Sequence, residues 1–329
     1  MAKKSIPGLF ITALIGAAVG ASLTFLSIQP ETPQRPEAKS SALPVPSAAE
    51  PMAFQVESCQ TEITHSLAGL APCLLVQAGG KRLIFGTPIF ANWRGIGPLD
   101  AVFLFDGHPV SSGGHTSLRY ETWLDGRRAP QLLVGGELSL ETLSSLDDAL
   151  LLSDALIETE EPQLDSRMAG FAVKPVPSMR REVLVFNTGD LQVFASSTLT
   201  PTGDQSLAYR VVYDGRKLDL YTCHSSNLVF DGPADASFLP VMNQSALTRL
   251  RERAVQSRLQ ARLGEITKVA RTCPTLREAQ QLLEAQGGVI LTVGDELVRP
   301  EGTESQKPTA VSIAESPYQI LADDRAENP

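Results

Sequence analysis

The stretch Cys73-Leu-Leu-Val-Gln-Ala-Gly-Gly-Lys-Arg-Leu-Ile-Phe85 decides the fold of this chain. Two short apolar runs flank Gly79 and Gly80, and a glycine pair between two such runs predicts a β-hairpin. The run Leu99-Asp-Ala-Val-Phe-Leu-Phe105 follows, and its nearly continuous apolar character is typical of a strand buried on both faces. The folded part of the chain therefore starts with a sheet whose later strands lie inside the protein.

Strands and helices alternate along the rest of the chain. A strand is predicted at 130–134, and residues 138–156 have the apolar spacing of a helix with acidic residues on its polar side. Four strands are then predicted at 182–186, 191–195, 208–213 and 217–222, two amphipathic helices at 247–270 and 275–285, and a last strand at 288–293. Blocks of strands followed by helices predict an α/β domain in which helices cover a sandwich of two sheets.

The composition is that of a globular protein with a core and a negative surface. The chain has 329 residues, 43% of them hydrophobic and 20% charged, and its formal net charge is -9. A negative field repels phosphate backbones, so no nucleic-acid partner is expected.

The N-terminus has the pattern of a membrane anchor. Residues 6–28 carry no charged side chain, and about 20 apolar residues are enough to span a bilayer as a helix. Lys3 and Lys4 precede this run, and the positive-inside bias keeps them in the cytoplasm. We therefore predict that residues 1–28 are a single-pass transmembrane helix and that the domain is extracytoplasmic, which means periplasmic in a Gram-negative cell.

A cleaved signal peptide is the alternative for the same segment. Val19 and Ala21 are placed like a small-residue cleavage motif before Ser22. The apolar run continues to Ile28, however, and is longer than the apolar region of a usual signal peptide. This length favours the uncleaved anchor.

Two polar segments border the folded domain, which is predicted at residues 54–300. Residues 29–53 are rich in Pro, Ala, Ser and Glu, so they cannot bury enough surface to offset chain entropy and are predicted to be a linker. Residues 301–329 are polar and mostly acidic and are predicted to be a disordered tail.

The four cysteines do not form a zinc-binding pattern. Cys59, Cys73, Cys223 and Cys273 show no C-x-x-C spacing. Outside the cytoplasm a disulfide between Cys59 and Cys73 would join neighbouring strands, and buried free thiols are equally compatible with the sequence.

The chemistry is expected in the loop Phe105-Asp-Gly-His-Pro-Val-Ser-Ser-Gly-Gly114. A polar, glycine-rich loop directly after a buried strand is where α/β proteins usually place their functional groups. Ser111 or Ser112 with His108 could suggest a nucleophile and its base, but no G-x-S-x-G elbow surrounds them.

The order of these segments resembles the metallo-β-lactamase superfamily, and within it the arylsulfatase-like and ribonuclease Z-like branch. The matching segments are 73–85, Gly97-Pro-Leu-Asp-Ala-Val-Phe-Leu104, Gly113-Gly114, Ser117-Leu-Arg119, Leu207-Ala-Tyr-Arg-Val-Val-Tyr-Asp-Gly-Arg-Lys-Leu218 and Gly287-Gly-Val-Ile-Leu-Thr292. The resemblance covers about residues 54–300 and implies an αββα sandwich.

The metal-binding motif of that family is degenerate in this chain. Where the family carries H-x-H-x-D-H, the chain has Asp106, His108, Val110 and Ser111, so only the second histidine is kept. By the same resemblance, the family's third histidine falls near Thr200-Pro201, its bridging aspartate at His224 and its last histidine near Gly294. An aspartate that family members often carry after the second strand is Gly86 here. Two-zinc hydrolysis needs cations that are held by imidazoles and carboxylates, so the ordinary two-zinc centre is not expected here.

A single divalent ion is the metal site that these residues still allow. Asp106, His108 and His224 map to one site, and two histidines with one carboxylate can hold zinc, iron or manganese. His115 could serve as a fourth ligand or as a base. The alternative is that these side chains are polar residues left at a solvated end of the sheet, with no resident cofactor.

The sequence therefore predicts a membrane-anchored pseudo-hydrolase that binds a small ligand or a partner protein. The candidate residual site comprises Asp106, His108, Ser111, His115 and His224. The alternative function is a single-metal hydrolase of an ester, phosphate or sulfate-type substrate. A third hypothesis is a scaffold whose interaction surface is the arginine-rich helix at 247–270 or the acidic tail.

Overall fold

The computed structural model describes the body of the predicted domain and part of the predicted tail. The described residues are 54–59, 72–89, 91–178, 181–199, 205–222, 229–241, 288–292, 310–312 and 318–320, with single positions at 252, 255, 274, 277–279 and 281. The predicted anchor and linker, His224, Cys223, Cys273 and nearly all of the arginine-rich helix lie outside these residues. No helix in the part of the chain that is described is long and apolar enough to cross a membrane.

The first half of the domain forms one sheet and the helices that cover it. Its strands are β1 (Gln55–Ser58), β2 (Leu74–Ala78), β3 (Lys81–Phe85), β4 (Ala101–Phe103), β5 (Gln131–Gly136) and β6 (Phe171–Val176). Its helices are α1 (Pro109–Ser112), α2 (His115–Leu124) and α3 (Glu137–Glu160), and a one-turn 3-10 helix spans Ser166–Met168. The second half supplies β7 (Val183–Asn187), β8 (Leu191–Leu199), β9 (Gln205–Tyr213), β10 (Arg216–Leu220), β11 (Ala236–Phe238), β12 (Val289–Thr292), β13 (Ala310–Ser312) and β14 (Tyr318–Gln319).

The described strands form two mixed sheets of seven strands each. The first has the order β14-β1-β2-β3-β4-β5-β6, and the second has the order β13-β12-β11-β10-β9-β8-β7. In the first, pairing is antiparallel from β14 to β3 and parallel from β3 to β6. In the second, it is antiparallel from β7 to β10 and parallel from β10 to β13. The two halves of the chain therefore build the same succession of strand directions.

The main core lies between the two sheets. Phe85 and Phe103 stack with their ring centroids 4.5 Å apart, and Tyr209 of the second sheet meets both rings edge-on. A second core lies on the other face of the first sheet, where Ile84 and Val102 pack with residues of α2 and α3. Strand β4 is thus buried on both faces, as its continuous apolar run predicted.

The glycine turn that the sequence predicted is confirmed. Residues Leu74–Ala78 pair antiparallel with Lys81–Phe85, with Ala78 opposite Lys81. Gly79 and Gly80 have φ values of 56° and 71°, the left-handed conformation that a tight two-residue hairpin requires at both positions.

The prediction of a disordered tail was wrong for two short segments. Residues Ala310–Ser312 pair with β12 and Tyr318–Gln319 pair with β1. Ile320 is buried in the core between the sheets, and its N–H donates to the carbonyl of Phe54. Brief apolar runs inside an acidic segment gain backbone pairing and burial from strands that are already present, and composition does not reveal this gain.

Strand β6 was missed by the sequence because it carries Lys174 and Pro175. It is the last strand in the order of its sheet, so one of its edges needs no ladder partner there. Proline is tolerated on such an edge strand because its missing N–H costs no ladder hydrogen bond.

The structure contains the disulfide bond between Cys59 and Cys73. It joins the residue that directly follows β1 to the residue that directly precedes β2. The N–H of Cys59 also donates to the carbonyl of Cys73 at 3.1 Å. Both cysteines are buried. The two antiparallel strands are thereby linked at one end.

Candidate functional site

The candidate loop leaves the first sheet at a point where both sheets are tied together. The Leu104 N–H donates to the Val134 carbonyl at 2.8 Å, and the Leu207 N–H of β9 donates to the Phe105 carbonyl at 2.7 Å. The buried Tyr209 hydroxyl donates to the Leu104 carbonyl at 2.6 Å. The residues just before Asp106 therefore have a fixed position relative to both sheets.

Asp106 uses part of its carboxylate to shape the loop. Its Oδ1 accepts the main-chain N–H of His108 at 2.9 Å, a turn that aspartate often makes two residues ahead of itself. Asp106 is half-buried and His108 is exposed. Burial raises the pKa of Tyr209, and the negative charge of Asp106 adds to that rise. The Asp106 carboxylate thus influences the Tyr209 hydroxyl in the core and also stabilises the turn of the loop.

His108 and Ser111 contribute main-chain groups to the start of α1. The His108 carbonyl accepts the N–H groups of Ser111 at 2.9 Å and Ser112 at 3.0 Å. It also accepts the Ser112 hydroxyl at 3.0 Å. The Ser111 carbonyl accepts the N–H of Thr87 at 3.1 Å. These bonds hold α1 to the loop and to the end of β3.

Gly86 occupies a position where a side chain does not fit. Its φ is 82°, and a Cβ placed there would lie 2.0 Å from the Pro72 carbonyl oxygen. The resemblance put a family aspartate at this position. The backbone of this chain excludes a carboxylate there without rearrangement of residue 72.

Gly114 lets the loop close against the same strand end. Its N–H donates to the Thr87 carbonyl at 2.8 Å, and a Cβ there would lie 2.2 Å from the Pro88 carbonyl oxygen. Gly107 approaches α3 closely, because a Cβ at Gly107 would lie 2.7 Å from Ser139 Oγ. The loop is therefore packed on two sides by main chain and by the first turn of α3.

His115 lies in the interior, which corrects its assignment as a fourth ligand or base. Its side chain is 2% exposed, and its ring stacks on Phe171 of β6 with the centroids 4.1 Å apart. Burial, aided by the charges of Arg119 and Arg127, lowers the pKa of His115 to about 3. Two nearby guanidinium groups would also repel a metal cation.

Neither ring nitrogen of His115 has a hydrogen-bond partner among the described residues. The same holds for the side-chain amide of Gln131, which is opposite Phe171 where β5 and β6 pair. Buried polar atoms without partners are costly, so this part of the layer between the first sheet and its helices is a local weak point.

A buried ion-pair cluster stands beside His115. Arg119 of α2 makes a bidentate pair with Asp154 of α3, with Nη1 donating to Oδ1 at 3.0 Å, and it also pairs with Asp147. The Phe171 N–H donates to Asp147 Oδ2 at 2.9 Å. Partners on α2, α3 and β6 are thus joined through one guanidinium and two carboxylates.

The sequence placed all acidic residues of the α3 segment on the solvent side, and for two of them this was wrong. Asp147 is half-buried and Asp154 is buried, because both turn toward Arg119. The signal was the spacing of seven residues, which puts both carboxylates on one helix face, together with an arginine on the preceding helix.

The second sheet carries a buried ion pair of its own. Arg210 of β9 makes a bidentate pair with Asp219 of β10, with both N–O distances at 2.7 Å. The hydroxyl of Tyr221 donates to Asp219, and Arg210 also donates to the Asp231 carbonyl. Burial raises the pKa of Asp219, against the opposing effect of Arg210. The pair joins two strands and the loop before β11.

The residues of the loop do not fit a two-zinc centre. Asp106 and His108 are the carboxylate and imidazole side chains of the loop, and Asp106 is partly engaged in the turn. Within the described residues, no group of three or more His, Cys, Asp and Glu side chains could hold a metal ion. His224 lies outside those residues, so the single-metal site stays a prediction.

Neither a family model nor a curated protein matches the sequence. Solved structures with a similar fold include the short form of human tRNase Z, at 12% identity and a TM-score of 0.45, with 72% of this chain and 91% of that chain covered. A long-form RNase Z from yeast has 10% identity and a TM-score of 0.49, with 83% of this chain and 42% of that chain covered. A proposed zinc-dependent hydrolase of the metallo-β-lactamase superfamily from Thermotoga maritima has 10% identity and a TM-score of 0.34, with 75% of this chain and 79% of that chain covered. The superfamily named for the Thermotoga maritima structure is the one that the sequence resembles.

Proposed function

We propose that this chain is a membrane-tethered binding module built on a metallo-β-lactamase-type scaffold, without two-zinc hydrolysis. In this proposal the strand-end loop around Asp106 and His108 serves recognition of a ligand or partner. The globular domain lies outside the cytoplasm and is attached through residues 1–28.

The observation that carries the proposal is the way the loop is built. Asp106 stabilises a turn, Ser111 supports the end of β3 through its carbonyl, and Gly86 cannot carry a carboxylate. A metal-bound hydroxide at neutral pH requires several imidazole and carboxylate ligands in fixed positions. In this proposal the chain keeps the scaffold, and the loop is held by hydrogen bonds of Asp106, His108 and Ser111 to main-chain groups rather than by a metal ion.

Metal analysis of the full chain tests the absence of a zinc centre. The chain is purified in detergent without added metal or chelator, and its zinc, iron and manganese are measured by mass spectrometry. We expect less than about 0.1 ion per chain, because the loop provides two ligand side chains and a stable site needs three or four. Adding Zn²⁺ or Mn²⁺ should not raise the melting temperature.

The His108→Ala and His224→Ala variants test whether any bound metal depends on the candidate site. The His65→Ala variant is the control, because His65 has no assigned role. About one ion per chain that is lost in the first two variants and kept in the third would overturn the proposal. That result would establish the single-metal site and would justify a screen with ester, phosphate and sulfate substrates.

Membrane fractionation tests the tether. The full chain is expected in the membrane pellet and to stay there after alkaline carbonate washing, because an apolar helix leaves a bilayer only at a large cost. A chain that lacks residues 1–28 should move to the soluble fraction. Release of the full chain by carbonate, or a mature N-terminus near residue 22, would show a cleaved signal peptide instead.

A further inference from the structure

Helix α3 packs on the first sheet through one of its faces. Leu140 and Leu143 are buried in the core between the helices and the sheet. Asp147 and Asp154 are on the same side and pair with Arg119. At about 100° per residue these four side chains fall within one arc of the helix. This arc is the inner face of α3.

The opposite side of α3 exposes large apolar side chains. Leu138 is 72% exposed, Leu152 is 74% exposed and Leu156 is 60% exposed. Leu146 is 38% exposed. These four leucines fall within an arc of about 120° that is centred opposite the inner face. We call them the leucine face. The other exposed residues within this arc are Thr142, Ser145, Ala149, Ser153 and Glu160.

The charges along α3 are all negative. Its sequence ELSLETLSSLDDALLLSDALIETE contains no lysine and no arginine. Glu137, Glu141 and Asp148 are exposed and follow one edge of the leucine face. A helix surface that carries four exposed leucines and only negative charges differs from an ordinary solvated helix, where both charge signs and few leucines are the norm.

The leucine face cannot be buried by a rotation of the helix within this fold. A rotation would pull Asp147 and Asp154 away from Arg119, which is 3% exposed, and would leave that charge without partners in the interior. It would also break the bond from the Phe171 N–H to Asp147. The buried ion pairs therefore hold the leucines toward solvent.

We propose that the leucine face binds a basic amphipathic helix of a partner protein. The partner's apolar stripe would cover the leucines, and its lysines or arginines would face Glu141 and Asp148. A helix of 24 residues is about 36 Å long, so α3 can pack along its length against a helix of five or more turns. This is the helix-on-helix recognition mode, in which leucines provide affinity and charge provides orientation.

Electrostatic repulsion argues against two other binding partners for the leucine face. A second copy that packed α3 against α3 would bring two helices without a basic residue together. An anionic lipid surface would be repelled by the same carboxylates. The proposal goes beyond the function proposed above, because it adds a second binding surface on α3, away from the strand-end loop. Its outcome is independent of the metal content of that loop.

A defined peptide tests this surface. The full chain is placed in nanodiscs of zwitterionic lipid, and the probe is a fluorescent helix of leucine and lysine with leucine at i, i+3, i+4 and i+7. Anisotropy should show saturable binding, and the Leu152→Ser/Leu156→Ser variant should bind about tenfold more weakly. The Leu124→Ser/Leu184→Ser variant is the matched control, because these leucines are 40% and 41% exposed elsewhere on the surface.

Two further comparisons distinguish specific binding of a basic helix from nonspecific binding of any amphipathic peptide. A peptide with glutamate in place of lysine should not bind the native chain, and the Glu141→Lys/Asp148→Lys variant should prefer that glutamate peptide. Equal binding of a scrambled lysine peptide, or equal loss in both leucine variants, would overturn the proposal. Self-association that is lost in Leu152→Ser/Leu156→Ser, without peptide binding, would assign the surface to a second copy instead.

Discussion

Replacing Arg127 with methionine is expected to lower the free energy of unfolding by about 3–5 kcal/mol, because several buried carbonyls would lose their donor at once. The guanidinium of Arg127 donates to the carbonyls of Arg119, Ala129, Met168, Ala169 and Gly170. Its Nε donates to the hydroxyl of Thr122 at 3.3 Å. The side chain is 7% exposed, so little water is available to replace these bonds.

Three of the carbonyls that Arg127 binds, those of Met168, Ala169 and Gly170, lie in the short segment between the one-turn helix and β6. Met168 ends the one-turn helix, and Gly170 directly precedes β6. A helix end leaves carbonyls without partners, and here one side chain satisfies several of them. Burial, together with repulsion from Arg119, lowers the pKa of Arg127 to about 10, which still leaves it charged at neutral pH. Arg127 therefore connects the end of α2 to the start of β6.

Urea unfolding followed by tryptophan fluorescence measures this effect. Trp123 is buried beside the same segment, and its indole N–H donates to the Asp165 carbonyl at 3.1 Å. The exposed neighbour gives the matched control, since Arg128→Met should change the stability by less than about 0.5 kcal/mol. Equal stability of the Arg127 and Arg128 variants would show that the carbonyl contacts contribute little. An Arg127→Lys variant should recover part of the loss, because one ammonium reaches fewer acceptors.

Replacing His115 with phenylalanine is expected to stabilise the protein, and to do so more strongly in acid. The pKa of His115 is about 3 in the folded chain and about 6.5 when the chain is unfolded. Between these values the unfolded chain binds a proton that the folded chain does not. Because of His115, the native protein therefore loses about 1.4 kcal/mol of stability for each pH unit between pH 6.5 and about pH 3. Above pH 6.5 the titration of His115 does not change the stability.

The phenylalanine variant removes both the buried ring nitrogens and the proton that His115 binds in the unfolded chain. Phenylalanine keeps a ring against Phe171 and has no ring nitrogens to leave without partners, a gain of about 1–3 kcal/mol at pH 8. At pH 5 the advantage over the native chain should grow by about 2 kcal/mol. The measurement is the difference in unfolding free energy between variant and native chain at both values, so carboxylates that titrate in both proteins cancel. A difference that does not change with pH would contradict the buried neutral state of His115.

The place of the candidate site could be predicted from the sequence, but its chemistry could not. A buried strand followed by a polar glycine-rich loop correctly indicated where residues 105–114 leave the sheet. The use of Asp106 as a turn acceptor, and the close approach of Gly86 to Pro72, involve main-chain positions that no residue pattern records. His115 looked like a ligand because it follows the loop by one residue, yet the start of α2 directs its ring into the interior.

The sequence by itself determined the local elements and their order. Apolar period and glycine placement specify a strand, a hairpin or an amphipathic helix through contacts a few residues apart, and β2, β3 and β4 were predicted on that basis. Only the tertiary structure decided the partners of Asp147 and Asp154, the disulfide between Cys59 and Cys73, and the entry of residues 310–312 and 318–319 into the sheets. Each of these depends on groups that lie far apart in the chain and are brought together by the fold. A charged side chain is buried in an ion pair only where the fold places an opposite charge beside it, and a polar tail forms an edge strand only where a neighbouring strand offers free backbone groups.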